Sequence, residues 1–181
     1  MEKHVAVSVL GKDRPGIVSA ITKALYETGC NIEDSSMTLL RSEFAMILLV
    51  SLPAKTTAKE LQKKLGQAGK KLGLSILLRP ISVQEDKNEK PAGKPFVVGV
   101  YGADKPGIVY KLSKYLSTRK INITDVQTNI SRATSGPVYI MFLEVDVPPA
   151  MNVKTMQEEL EEIAGALNVH INIHQAESPA L

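Results

Sequence analysis

Two short stretches hold most of the chemistry this chain can do. Asp13-Arg14-Pro15-Gly16-Ile17-Val18 returns ninety-one residues later as Asp104-Lys105-Pro106-Gly107-Ile108-Val109, and the same offset carries Asn31-Ile32 to Asn122-Ile123. Each stretch lies between an alternating apolar segment and a helical one, so it forms a receptor for a small anion. The N–H groups of a helix's first turn point outward without partners, and the helix dipole favours negative charge there. Gly16 and Gly107 let a ligand approach the backbone with no side chain in the way. Asn31 and Asn122 offer both donors and an acceptor, and Asp13 and Asp104 can accept from an ammonium group. A free amino acid, a zwitterion, suits such a set. Simpler uses exist for each residue: the aspartates as helix caps, the glycines as turn formers, the asparagines as strand openers. Joint recurrence at one offset favours binding, although duplication preserves folding residues too.

Catalytic and metal chemistry have weaker candidates. His4, His170 and His174 are the three histidines. His170 and His174 fall on the strand face opposite Ile171 and Ile173, with no third metal ligand beside them, which reads as an exposed strand face. Cys30 has no disulfide partner, and Ile121 takes its place in the second copy. No glycine-rich nucleotide loop or serine elbow appears. The expectation is a protein that is not an enzyme, with no catalytic residue, no metal and no cofactor.

The elements that must position the repeated loops follow from periodicity. His4 to Leu10 alternates with Val5, Val7 and Val9 on one face, as a half-buried strand does. Asp13-Arg14-Pro15-Gly16 then opens a helix, with Pro15 at the tolerated first position. Ile17, Val18, Ile21 and Leu25 supply its apolar stripe, and Gly29 ends it. Residues 30–40 and 44–52 read as a hairpin, 57–72 as a helix and 74–83 as a strand. The order recurs at 96–102, 106–119, 122–132, 137–147, 152–167 and 169–175. The fold class expected is α+β: two tandem ferredoxin-like βαββαβ domains, each an antiparallel four-stranded sheet with helices on one face. The domains are expected at 1–83 and 96–176, joined by a polar, proline-punctuated linker at 84–95 and followed by a tail at 177–181. The second hairpin carries an insertion at Ala133-Thr134-Ser135-Gly136-Pro137, a tolerated place for one.

Composition bounds the partners. The chain has 181 residues, 44% hydrophobic and 23% charged, with net charge +3, as ordinary globular domains do. Residues 1–83 hold 12 Lys plus Arg against 7 Asp plus Glu, residues 84–95 hold 3 against 3, and residues 96–181 hold 7 against 9. Lys55, Lys59, Lys63, Lys64, Lys70 and Lys71 oppose Glu158, Glu159, Glu161 and Glu162 in the equivalent helix. Without interleaved aromatics the lysines read as a solvated face, so no direct nucleic-acid contact is expected. No apolar run nears the roughly 20 residues that span a bilayer, no secretory signal is recognisable, and one cysteine fits a reducing cytoplasm.

A valine-rich strand, Gly-x-Asp-Arg/Lys-Pro-Gly-Ile-Val, an apolar helix and a following Asn-Ile resemble the ACT domain, a regulatory amino-acid-binding module. Two copies with little else resemble the glycine cleavage system transcriptional repressor family over nearly the entire chain. The resemblance implies a ligand site between the loop of one ACT domain and the helix or strand edge of another, with Asp13, Arg14, Pro15, Gly16, Ile17, Val18, Asn31 and Ile32 from the first copy. From the second come Asp104, Lys105, Pro106, Gly107, Ile108, Val109, Asn122 and Ile123. In phosphoglycerate dehydrogenase, a serine-regulated member, the position matching Asp13 contacts the effector carboxylate and that matching Asn31 its polar head. Aspartate in both copies would repel a carboxylate, so either its backbone N–H makes the contact or the ligand is reversed.

The family also implies a cytoplasmic, homo-oligomeric allosteric sensor of a small amino acid such as glycine or serine, acting through a protein partner that is a DNA-binding transcription factor. Two alternatives stand beside it: a ligand-free ACT scaffold, and a trans-acting regulatory subunit of an amino-acid metabolic enzyme. Arg14 against Lys105, Ser19 against Tyr110 and Cys30 against Ile121 make the two loops unequal, so one is expected to sense while the other builds an interface.

Overall fold

The computed structural model describes residues 3–81, 93–133 and 136–176. The chain divides into two compact units, Met1–Glu89 and Lys90–Leu181. Residues 84–92 of the inferred linker, Ser82 and Val83, the hairpin residues Thr134 and Ser135, and the tail 177–181 lie outside the described residues. Lys94 and Pro95, read above as linker, instead open a strand.

In the first unit, β1 (Lys3–Lys12) buries Val5, Val7 and Val9 on one face by simple alternation. It is central, antiparallel to β3 (Glu43–Leu52) on one side and to β4 (Ser75–Ile81) on the other. β2 (Asn31–Leu40) pairs with β3 alone and forms an edge, so the order is β2-β3-β1-β4. Two helices cover one face. α1 (Ile17–Glu27) buries Ile17, Ile21, Ala24 and Leu25, and α2 (Ala58–Leu72) buries Leu61 and Leu65, against Phe44, Leu48 and Val50 of β3. These helix positions recur every three to four residues, which holds one stripe toward the sheet. The opposite sheet face is open: Ile47 is 55% exposed and Leu77 68%.

The two helices begin differently. α2 has a capping box in which Thr57 Oγ1 accepts from the Glu60 N–H and the Glu60 carboxylate accepts from the Thr57 N–H at 2.8 Å. That backbone hydrogen bond holds the Glu60 carboxyl below its usual range. α1 has no side-chain cap. Its N-cap is Gly16 at φ 96, so the helix starts at Ile17 and Pro15 lies in the turn before it rather than at the first helical position. A left-handed residue cannot continue into a right-handed helix, which displaces the start past the glycine. Nor does Asp13 cap the helix.

The second unit repeats the plan. It consists of β5 (Lys94–Ala103), α3 (Ile108–Thr118), β6 (Asn122–Ala133), β7 (Gly136–Val147), α4 (Val153–Leu167) and β8 (Val169–Gln175) in the order β6-β7-β5-β8. The βαββαβ fold, twice over with an antiparallel four-stranded sheet in each, is therefore as expected from the periodicity. Here Asn152 caps α4 by accepting from the Lys154 and Thr155 N–H groups. Tyr115 of α3 donates to Glu159 of α4 at 2.7 Å, and Arg119 bonds the same carboxylate. Burial first, then the adjacent Glu159 carboxylate, raise the Tyr115 hydroxyl pKa to about 12.

Leu48 is fully buried while its neighbour Ile47 faces outward. Leu48→Ala is expected to lower stability by about 2–5 kcal/mol and Ile47→Ala by about 0.5 kcal/mol or less, read from urea midpoints. Because the folded state raises the Tyr115 pKa above its unfolded value near 10, the stabilisation by its protonated form is complete below pH 10 and is lost as pH rises through about 12. The stability gap between the wild type and Tyr115→Phe should accordingly narrow over that interval.

Candidate functional site

The repeated loops adopt one geometry in both copies. Gly16 has φ 96 and ψ −6, and Gly107 has φ 97 and ψ −5. Each lies between the central strand and the helix packed on it, and neither helix start carries a side-chain cap hydrogen bond. The first intrahelical bonds run from Ala20 N–H to Gly16 O and from Lys111 N–H to Gly107 O. The N–H groups of Ile17, Val18 and Ser19, and of Ile108, Val109 and Tyr110, precede those bonds and are the donors such a helix start leaves open.

The backbone route suggested for Asp13 is closed in the first copy. Its N–H already donates to Ser42 O of the β2–β3 turn at 2.8 Å. The Asp13 side chain is exposed, as is Arg14, whose guanidinium lies near Gly73 at the C-terminal end of α2. In the second copy the Asp104 carboxylate lies close enough to Tyr139 of β7 to add to the burial that already raises that hydroxyl's pKa. Phe44 stands at the equivalent place in the first copy, so Tyr139 distinguishes the two loops. Sequence comparison of the hairpins is the signal that exposes it.

Not every residue expected at the site is free to bind. The Ile17 and Ile108 side chains belong to the cores, each residue being 2% exposed, so these two positions offer a ligand only their backbone N–H groups. Val18, Val109 and Ile32 are exposed, and Ile123 is partly buried against its core. The larger departure concerns the asparagines. Asn31 pairs with Ser51, which pairs with His4 at the start of β1, whereas the loop follows Lys12 at the other end. Eight residues of strand at about 3.3 Å each put roughly 26 Å between the two. The second copy has the same separation, since Asn122 pairs with Asp146 and Asp146 with Pro95, while the loop follows Ala103. One unit therefore does not bring its own loop and its own asparagine to one small ligand.

Both asparagines open an edge strand with a register shift, between Ile32 and Asp34 in β2 and between Ile123 and Asp125 in β6. Such irregularities re-aim side chains at strand ends. Asn122 and Ile123 also line a groove of about 690 Å³ that runs along α3 from Tyr110 past Ser113, Lys114 and Ser117 to Lys120. Away from these features, His170 stacks on Tyr101 with ring centroids 4.9 Å apart, on the open face of the second sheet.

The chain belongs to the ACT-domain family: residues 3–78 match the ACT domain. The first unit is 45% identical over 77 residues to a UPF0237 protein of Methanopyrus kandleri, spanning 86% of that protein and 42% of this chain. Over 175 residues the chain is 23% identical to the glycine cleavage system transcriptional repressor of Escherichia coli, covering 96% of this chain and 90% of that protein. An unknown protein from Galdieria sulphuraria has a similar solved structure, with TM-score 0.81, 28% identity, and coverage of 98% of this chain and 100% of that one. Among the described residues no helix is long and apolar enough to cross a membrane.

A Cβ at Gly16 or Gly107 would meet no atom within 4 Å, so only backbone strain opposes alanine there. Gly16→Ala and Gly107→Ala should each lower stability by about 1 kcal/mol or more. Gly165→Ala, also free of contacts but inside α4, should raise it by about 0.4–1 kcal/mol. Thermal unfolding of the three variants measures the contrast.

Proposed function

We propose that this protein is an amino-acid-responsive regulator built from ACT units, which binds a small amino acid such as glycine or serine and alters its association with a protein partner. The observation that carries the reading is the pair of uncapped, left-handed glycine turns, one in each copy, opening backbone donors to solvent at the loop that characterises the family. Sequence similarity to a glycine cleavage system transcriptional repressor along 96% of the chain supports the regulatory role, and the partner in this reading is a DNA-binding transcription factor. The ligand carboxylate docks on the first-turn N–H groups, and an asparagine takes its polar head.

Because loop and asparagine lie at opposite ends of one unit, a ligand that uses both takes the loop from one ACT unit and the asparagine from another. Homo-oligomerisation supplies such a second unit. That requirement also supplies the regulation. Ligand binding favours whichever association of ACT units brings the two parts together, and a ligand indifferent to association would shift nothing. A preference of about 1–3 kcal/mol suffices for a metabolic switch.

Calorimetric titration of the intact chain with the twenty amino acids tests this. The expected result is saturable binding of a small one, weakened at least about tenfold, or ~1.4 kcal/mol, by Asn31→Ala with Asn122→Ala. No response to any amino acid would refute ligand sensing, and an unchanged partner association in the double variant would point to the ligand-free scaffold. Capture of a metabolic enzyme in place of a transcription factor would favour the trans-acting subunit.

A further inference from the structure

The groove along α3 differs in charge from the matching residues of the first unit. Lys114 and Lys120 both line it, together with Tyr110, Ser113, Ser117 and Asn122, and no carboxylate does. The Lys114 ammonium lies 5.8 Å from the centre of the Tyr110 ring. Among the described residues neither lysine has an ion-pair partner. In the first unit the residue matching Lys114 is Lys23, which lies 3.9 Å from Glu27, and Glu27 also binds Lys64 at 3.0 Å. Thr118 replaces Glu27 in the second copy, and Lys120 replaces Gly29. The second copy has thus lost an acid and gained a base at one place.

Lys120 is held where a lysine is not expected on conformational grounds. Its φ is 56, close to the 68 of Gly29 at the matching position. That left-handed region disfavours residues with a Cβ, and strain of this kind clusters at binding sites. The lysines also lie toward the C-terminal half of α3, where positive charge complements the helix dipole. Yet the last carbonyls of α3 already accept from the Arg119, Lys120 and Ile121 N–H groups.

We propose that this groove binds a small organic dianion, bearing a phosphate or two carboxylates, through Lys114 and Lys120, with the Ser117 hydroxyl and the Asn122 amide as neutral donors. The proposal adds a second ligand class to the amino-acid sensing argued above and rests on that reading only for its link to regulation. Glycine or serine, with no net charge, leaves both lysines uncompensated and fills little of about 690 Å³.

The test titrates the intact chain with inorganic phosphate, succinate, glycine and L-serine, by calorimetry at two salt concentrations. Phosphate or succinate is expected to bind more weakly at the higher salt. Affinity should fall at least tenfold in Lys114→Gln and in Lys120→Gly and stay unchanged in Lys23→Gln. Lys120→Gly places glycine at a left-handed position and should fold, as circular dichroism would verify. Whichever dianion binds tells a phosphate ligand from a dicarboxylate. Binding of glycine or serine without either dianion would overturn the proposal and leave amino-acid sensing standing, whereas silence with all four would count against both. Dianion affinity unchanged by the two lysine variants, with stability alone reduced, would assign the lysines to the helix dipole and overturn the proposed site.

Discussion

The chain must pass from the central strand of each sheet onto a helix lying across that strand, and it does so through one left-handed glycine. Gly16 and Gly107 reach φ values of 96 and 97, which a residue with a side chain adopts only under strain. That turn aims α1 and α3 back along the sheet, so Ile21 and Leu25, or Leu112 and Leu116, fall on the buried strand faces. It also leaves the helix starts without caps, while α2 and α4 are capped by Thr57 and Asn152. The difference separates the helix ends that only need stabilising from those that keep donors open.

The same reversal divides the binding elements. Since the first helix runs antiparallel to the central strand, whatever follows the helix returns to the strand's beginning. Asn31 and Asn122 therefore lie a full strand length from the loops that recur with them. Each asparagine sits on an edge strand, β2 or β6, which the two helices do not cover. A module so arranged carries its two proposed half-sites at opposite ends. Under the proposed function, a ligand that uses both ends depends on a second unit, which would couple its binding to association.

Much of this was legible in the residues. Alternation of Val5, Val7 and Val9, the helical spacing from Ile17 to Leu25 and the duplicated order of elements place the described strands and helices to within about two residues, because burial on one face leaves a period that survives in the sequence. The helix starts at Ile17 and Ile108 were displaced because a Pro-Gly pair supports either a first helical turn or a preceding reverse turn, and only φ separates them. The bonding of the Asp13 N–H to Ser42 was hidden because it joins segments far apart in the chain. That Ile17 and Ile108 turn their side chains into the core was hidden because motif membership does not distinguish the residue facing the core from its exposed neighbour, Val18 or Val109. The charge change at Lys120 was visible as a substitution, but its meaning needed the groove and the matching Lys23–Glu27 pair.

The account stands on the claim that one ligand engages the loop of one unit and the asparagine of another. Amide chemical shifts of the intact chain, followed by NMR during titration with the ligand, address it directly. The account predicts that an amide beside Gly16 or Gly107 and an asparagine at 31 or 122 move together, with one common saturation curve that depends on protein concentration as association does. Shifts confined to the loops or to the asparagines, saturating independently of protein concentration, would contradict it.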